Sequence, residues 1–502
     1  MERQIRRVGI GLVLAFLAVF FQLNYVQIFA AERIAENPAN RLQLIREYSI
    51  KRGDILTLDG KRIAFSRPTK GLYKFRRVYP EGELYGHITG WYSVRYGLSR
   101  LEATYQDQLL GEGGVLSMQE IEDEFLGSGE EGDDVRTTIA SRLQEAARQA
   151  LGGERGAVVA IDPNTGEVRA LWSNPSFDPS PLASFDGKQS KAYWESLNPQ
   201  DLETPLRNIA ATRSYPPGST FKVVTAAAAL QSGQYRPDST FPDPARLEPC
   251  EGTRKTGDPC LPLTTESLTN FTHEPCLGGG EINLFDALRV SCDTTFAILG
   301  LDNHDATRAM ATELGFNDPL DFDFRTEPSI YPDIPDDEAP LRAYSAIGQG
   351  NTAATPLQMA LVAATIANGG QVPRPHLVRE ILDGKTAAPI RTFEPDMMGA
   401  AMSPDVARVV TQMMVAAVEN GTGGSAQIPG VRVAGKTGTA QTVKGENPHT
   451  WFIAFAPADN PQLAVAVIVE NGGSFGSEAT GGAVAAPIAR AILEADRAIR
   501  GW

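Results

Sequence analysis

A serine and a lysine stand three places apart in "SYPPGSTFK", Ser214 to Lys222. If a helix begins at or near Ser219, Lys222 falls one turn later on the same face. Pro216, Pro217 and Gly218 give that helix a tight, rigid entry. The Ser219 hydroxyl then sits at a helix N-terminus, where free N–H groups and the dipole favour negative charge. A neutral lysine amine there can take the serine proton, and serine needs such a base to become a nucleophile. Partial burial and a second nearby cation would keep Lys222 from holding a proton. Alone the pair is weak, because a serine N-cap followed by an exposed lysine is common.

Two further stretches change its weight. "SCD" spans Ser291 to Asp293, and "KTGT" spans Lys436 to Thr439. Ser-x-x-Lys, a Ser-x-Asn-like element and Lys-Thr-Gly, in this order, are what serine acyl-transfer enzymes of the penicillin-recognising group require. The third element reads as a strand, and Gly435 and Gly438 let a substrate backbone come close to it.

These groups need a frame. "TTIASRLQEAARQALGG" has helical periodicity, with a threonine cap and a glycine stop. "RGAVVAIDPNTGEVRALWSNPSFDP" reads as two strands joined by a turn. The middle, residues 200 to 420, reads as mostly helical. Strands return in "VRVAGKTGTAQTV", "TWFIAFAP" and "QLAVAVIVEN", and a last helix closes the chain. The expected class is α/β (α+β): an antiparallel sheet flanked by helices, with a helical lobe inserted midway. Residues 32–132 are polar and loop-rich. "KRGDILTLDGKRIAFS" suggests a hairpin, and "LEATYQDQLLG" a short helix ending at Gly111. "EDEF", from Glu122, reads as a surface turn.

The chain has 502 residues, so two or three domains are expected. A net charge of −15 repels phosphate backbones and excludes nucleic acid as a partner. Arginines 3, 6 and 7 precede the charge-free run Val8 to Phe21, and apolar character continues to Ala31. This segment is expected to be a transmembrane anchor with a cytoplasmic N-terminus, placing the rest outside the cytoplasm. The competing reading is a cleaved signal peptide, which Ala30 and Ala31 permit and Ile28 disfavours. The expected organisation is a cytoplasmic tail over 1–7, an anchor over 8–31, an N-terminal domain over 32–132 and a catalytic domain over 133–502. Four cysteines allow three connectivities; proximity favours Cys250 with Cys260 and Cys276 with Cys292. No metal or cofactor is called for: no spacing matches a zinc site, and the five histidines are scattered.

With these motifs the sequence resembles the class B penicillin-binding proteins, of the actinobacterial penicillin-binding protein A type. The resemblance covers nearly the whole chain. It rests on "RGDIL", "LDGKRIA", "GAVVAIDPNTGEVRAL", "YPPGSTFK", "GQGNTAATPLQMA", "ENGTGGSA", "AGKTGTAQ" and "WFIAFAP". It implies a serine β-lactamase/D,D-peptidase-like transpeptidase domain preceded by a β-rich pedestal. It implies a D,D-transpeptidase that cross-links peptidoglycan stem peptides and binds β-lactams. Ser219 would be the nucleophile and Lys222 its base. The N–H groups of Ser219 and Thr439 would form the oxyanion hole. Ser291 would relay a proton. Lys436 would lower the Lys222 pKa and, with Thr437, Gly438 and Thr439, bind the substrate. A polytopic SEDS-type glycosyltransferase is the implied membrane partner. This sequence departs from the family at Asp293, where Asn is usual: a carboxylate only accepts, and it pulls the Lys222 pKa up. A β-lactamase is disfavoured because no Glu-x-x-Leu-Asn segment follows Ser219. A D,D-carboxypeptidase uses the same acyl-enzyme. A non-catalytic scaffold would have no need of Ser219 and Lys222.

Overall fold

The computed structural model describes residues 2–25, 41–111, 131–441 and 446–502. Helix α1 runs Glu2–Asn24, and its apolar side chains, among them Val8, Leu12, Phe16 and Phe21, are exposed. Residues 26–31 of the expected anchor lie outside the described residues, as do residues 112–130 with "EDEF". Among the described residues, no helix is long and apolar enough to cross a membrane.

The first sheet joins distant parts of the chain. Strands β1 (Ile55–Leu56), β2 (Arg62–Pro68) and β3 (Phe75–Val78) form an antiparallel run. Strand β1 also pairs in parallel with β4 (Asp134–Thr137). Helix α2 follows (Ser141–Leu151), stopped by Gly152. The expected threonine cap is not used. The Ser141 N–H donates instead to the Asp59 carboxylate at 3.0 Å, so the β1–β2 turn caps the helix. The helix expected before Gly111 is split in two at Tyr105.

Strands β5 (Gly156–Ile161) and β6 (Val168–Asn174) form the hairpin read from the sequence. Helices α3 (Lys222–Gln231), α4 (Leu284–Val290) and α5 (Asp293–Asp302) belong to the inserted lobe, and α6 (Pro356–Ala367) returns the chain to the sheet. The middle is less purely helical than its sequence suggests. Strand β7 (Val378–Leu382) pairs with β4, and β8 (Pro389–Thr392) pairs with β7. The N-terminal and later parts of the chain therefore share one six-stranded sheet, in the order β8-β7-β4-β1-β2-β3. Such long-range pairing carries no local sequence signal.

After helix α7 (Pro404–Asn420) come β9 (Ala434–Ala440), β10 (His449–Ala456) and β11 (Leu463–Val469). With β5 and β6 they make a five-stranded antiparallel sheet, β9-β10-β11-β5-β6. Strands β10 and β11 are buried along their whole length, so both faces are covered. Helix α6 packs against β5 and β11; the closing helix α8 (Ala485–Arg500) packs against α2, β10 and β11. Strand β9 is an edge strand, and its free side lies against the turn that carries Ser219.

Candidate active site

Ser219 is half-buried in a 3₁₀ turn, Gly218–Phe221, and α3 starts directly after it at Lys222. Gly218 has φ +53°, a region that other residues rarely adopt. A side chain there would also meet the Thr439 carbonyl oxygen at 2.9 Å. Gly438 has the matching role on the strand: a Cβ would come within 2.8 Å of the Pro217 oxygen. The two glycines let the nucleophile turn and β9 touch backbone to backbone, which sets Ser219 beside Thr439.

Lys222 is fully buried, where the sequence had suggested partial burial. Its Nζ donates to Asp293 Oδ1 at 2.7 Å and to the Ser291 carbonyl at 2.8 Å, with Ser291 Oγ at 3.5 Å. None of these bonds reaches Ser219; catalytic hydrogen bonds are often long until substrate arrives. Ser291 ends α4 in the left-handed region at φ +65°, a strained conformation for a serine. That conformation turns its hydroxyl to Lys436, whose Nζ donates to Oγ at 2.7 Å. The Lys436 ammonium also reaches the Thr437 carbonyl at 3.1 Å and is fully buried. One chain of contacts thus runs Asp293, Lys222, Ser291, Lys436. It joins the lobe to the sheet edge.

Burial pushes the Lys222 pKa down, and Asp293 opposes it through charge and hydrogen bond. Lys436 is held well below the usual lysine range, first by burial, then by the Lys222 ammonium, against the pull of Asp293. Repulsion between the two ammonium groups is mutual, and the Lys222 charge is part of what holds Lys436 down.

The carboxylate of Asp293 serves two donors. Oδ1 takes Lys222, and Oδ2 accepts from the Phe271 backbone N–H at 3.1 Å. Thr437 is buried, and its hydroxyl meets that of Thr422 at 2.6 Å. Thr439 Oγ1 accepts from the Gly481 N–H at 3.3 Å. Thr422 and Phe271 were missed as site residues. Thr422 lies in "ENGTGGSA", a stretch noted only as part of the resemblance; nothing local marks Phe271. Disulfides join Cys250 to Cys260 and Cys276 to Cys292, and the second fixes the residue between Ser291 and Asp293. The buried carboxylate near it, Asp243, accepts three backbone N–H bonds and is spoken for.

A nucleophile beside a buried lysine relay on a sheet edge defines a serine acyl-transfer fold. Residues 156–494 match the penicillin binding protein transpeptidase domain, and residues 52–135 match the penicillin binding protein A dimerisation domain. The chain belongs to the penicillin-binding protein transpeptidase family. It is 40% identical over 510 residues to the peptidoglycan D,D-transpeptidase PbpA of Mycolicibacterium smegmatis, covering 99% of each chain. It is 39% identical over 507 residues to PbpA of Mycobacterium tuberculosis, again over 99% of each. Among solved structures it is similar to the ceftriaxone acyl-enzyme of M. tuberculosis penicillin-binding protein A. That match has a TM-score of 0.83 at 39% identity, over 90% of this chain and 99% of that one. The penicillin G acyl-enzyme of the same protein aligns with a TM-score of 0.81, also at 39% identity, over 89% and 100%.

Proposed function

We propose that this chain is a serine D,D-transpeptidase of peptidoglycan synthesis, acting through a Ser219 acyl-enzyme. The observation that carries the reading is the contact chain from Asp293 to Lys436, laid beside Ser219. Neutral Lys222 takes the Ser219 proton as Oγ attacks the penultimate D-Ala carbonyl. The N–H groups of Ser219 and Thr439 receive the oxyanion, each worth roughly 3–4 kcal/mol. Lys436, Thr437 and Thr439 hold the terminal carboxylate, and Gly438 leaves room for the substrate backbone. Lys222 returns the proton through Ser291 to the departing D-Ala amine. An amine of a second stem peptide then attacks the ester, and Ser219 regains its proton. β-Lactams enter the same first step and stay as the ester.

The test is intact-mass spectrometry after exposure to a labelled penicillin. One adduct is expected, on the peptide holding "SYPPGSTFK". Labelling that survives Ser219→Ala sinks the assignment.

The same proposal places the protein at the plasma membrane, with the apolar segment 8–31 as its anchor and the catalytic region outside. Support comes from the exposed apolar side chains of α1 and the arginines before them. N-terminal sequencing of membrane-extracted protein checks this; a mature chain starting near residue 31 would mean a cleaved signal. A SEDS-type glycosyltransferase is the partner the resemblance supports, and co-purification from detergent extracts tests it.

A further inference from the structure

Segment 270–280 is held unusually firmly for a loop. The buried Asp243 carboxylate accepts from the backbone N–H groups of Cys276 and Leu277, each at 2.7 Å, and of Gly279 at 3.1 Å. The buried Asn270 side chain donates to the carbonyls of Pro244 and Glu274, and accepts from the Thr294 N–H at 3.0 Å. The disulfide from Cys276 ties the loop to Cys292, and the Phe271 N–H ties it to Asp293. The whole loop is therefore fixed to the first turn of α5. On it Phe271 is 60% exposed.

A single exposed apolar residue is ordinary on a surface. Phe271 differs in position: its backbone shares a carboxylate with the buried lysine beside the nucleophile. The backbone beneath the ring is pinned at Asp293, and the apolar area of the ring is in water until something covers it.

The transpeptidase reading, on which this inference rests, assigns the β9 wall to the donor peptide. The lobe side, where Asp293 joins Lys222 to the Phe271 backbone, is left for the second substrate. We propose that Phe271 and Asp293 form the receiving wall for the acceptor, a primary amine at the end of an aliphatic chain. The ring covers the methylenes, and the carboxylate draws in the ammonium. The ammonium releases one proton to solvent. The neutral amine attacks the Ser219 ester; the C–N bond forms and the C–Oγ bond breaks. The second amine proton goes to Lys222, which returns it to Ser219 Oγ. No oxidant or further reactant is needed.

The experiment forms the acyl-enzyme from a D-alanyl thioester donor and offers it water and linear primary amines of increasing length. With the native chain, the ratio of aminolysis to hydrolysis should rise by about twofold per added methylene, as half-buried CH₂ groups require. In Phe271→Ala the ratio should become independent of length, and Phe271→Leu should restore part of the slope. Because both products come from one acyl-enzyme, a folding defect does not change the ratio. A slope that persists in Phe271→Ala, or a flat native series, overturns the inference alone. Failure of the native chain to form any Ser219 adduct overturns the transpeptidase reading and the inference with it.

Discussion

In the pedestal, Arg52 and Arg77 close on Glu102; in the cleft, Lys222 pairs with Asp293 and Lys436 joins it through Ser291. Each cluster sets two buried cations near one carboxylate. In the pedestal, Arg52 Nε and Arg77 Nε donate to the two Glu102 oxygens at 2.7 and 2.6 Å. Tyr79 adds a third bond at 3.1 Å. Burial alone would raise the Glu102 pKa and lower that of Arg77, but their mutual attraction outweighs it in both, and the charges stay. In the cleft burial wins instead, and both lysines are pushed toward neutrality. The difference is chemical. A guanidinium does not release its proton in a protein, while a buried ammonium does so readily. The same charge count therefore gives a brace in one place and a reactive centre in the other.

The strongest way to break the contrast is to exchange the cation types. Lys222→Arg keeps the charge and the Asp293 ion pair but cannot act as a base. Penicillin acylation should fall by about a thousandfold, within the range of general-base losses. Stopped-flow labelling measures it; a rate within tenfold of native would put the base elsewhere. The converse change is Glu102→Gln, which leaves two buried guanidinium groups without a counter-charge. We expect a loss of about 3 kcal/mol, typical of a broken buried pair, read from the denaturant midpoint. A midpoint that does not move would mean water or backbone carries those charges.

These clusters also separate what the sequence discloses from what it withholds. Ser219 and Lys222 are legible because three-residue spacing has a fixed meaning on a helix. The strands around "DPNTGE" and "KTGT" are legible from their apolar runs and turns. Phe271 and Thr422 were not, since each reaches the site from a loop whose position is set by tertiary contacts. Asp293 lies 22 residues beyond Phe271. The β4–β7 pairing is hidden for the same reason: its partners lie some 240 residues apart. The burial of Lys222 was underestimated because exposure depends on everything packed around a helix, not on the helix itself.

A third buried group sharpens the comparison by having no counter-charge. His87 sits fully buried between Arg100 and the Pro175 carbonyl. Burial first, then the Arg100 charge, push its pKa down to about 3. In the unfolded chain it titrates near 6.5, so the unfolded state binds the extra proton between these values. Stability is then complete above the unfolded value and is lost as the pH falls toward the folded one. The loss should be about 2 kcal/mol between about pH 7.5 and 5. Denaturant melts across that range check it, and His87→Gln should remove this part of the slope. A slope unchanged by the substitution would assign it to other groups.

The smallest effect tests the single carboxylate of the cleft. Acylation needs neutral Lys222, so its rate should rise with pH through the Lys222 pKa. Burial sets that pKa low and Asp293 pulls it back up. Asp293→Asn removes the pull with almost no change in volume. The amide oxygen then stays with the Phe271 N–H, which needs an acceptor. The amide nitrogen turns to Lys222, where only a neutral amine can accept it. Charge and hydrogen bonding therefore act in the same direction, and both favour the free base. The acylation limb should move to lower pH by about one unit, equivalent to about 1.4 kcal/mol. Acylation near neutral pH should become faster. Lys436 feels the change in both directions: a neutral Lys222 no longer repels its proton, and the lost carboxylate no longer holds it. The rate constant for penicillin acylation from about pH 5 to 10, taken for both forms, decides it. A limb that stays in place or moves upward in the Asn variant would show that Asp293 is not coupled to the base. The carboxylate would then serve only to hold the Phe271 loop.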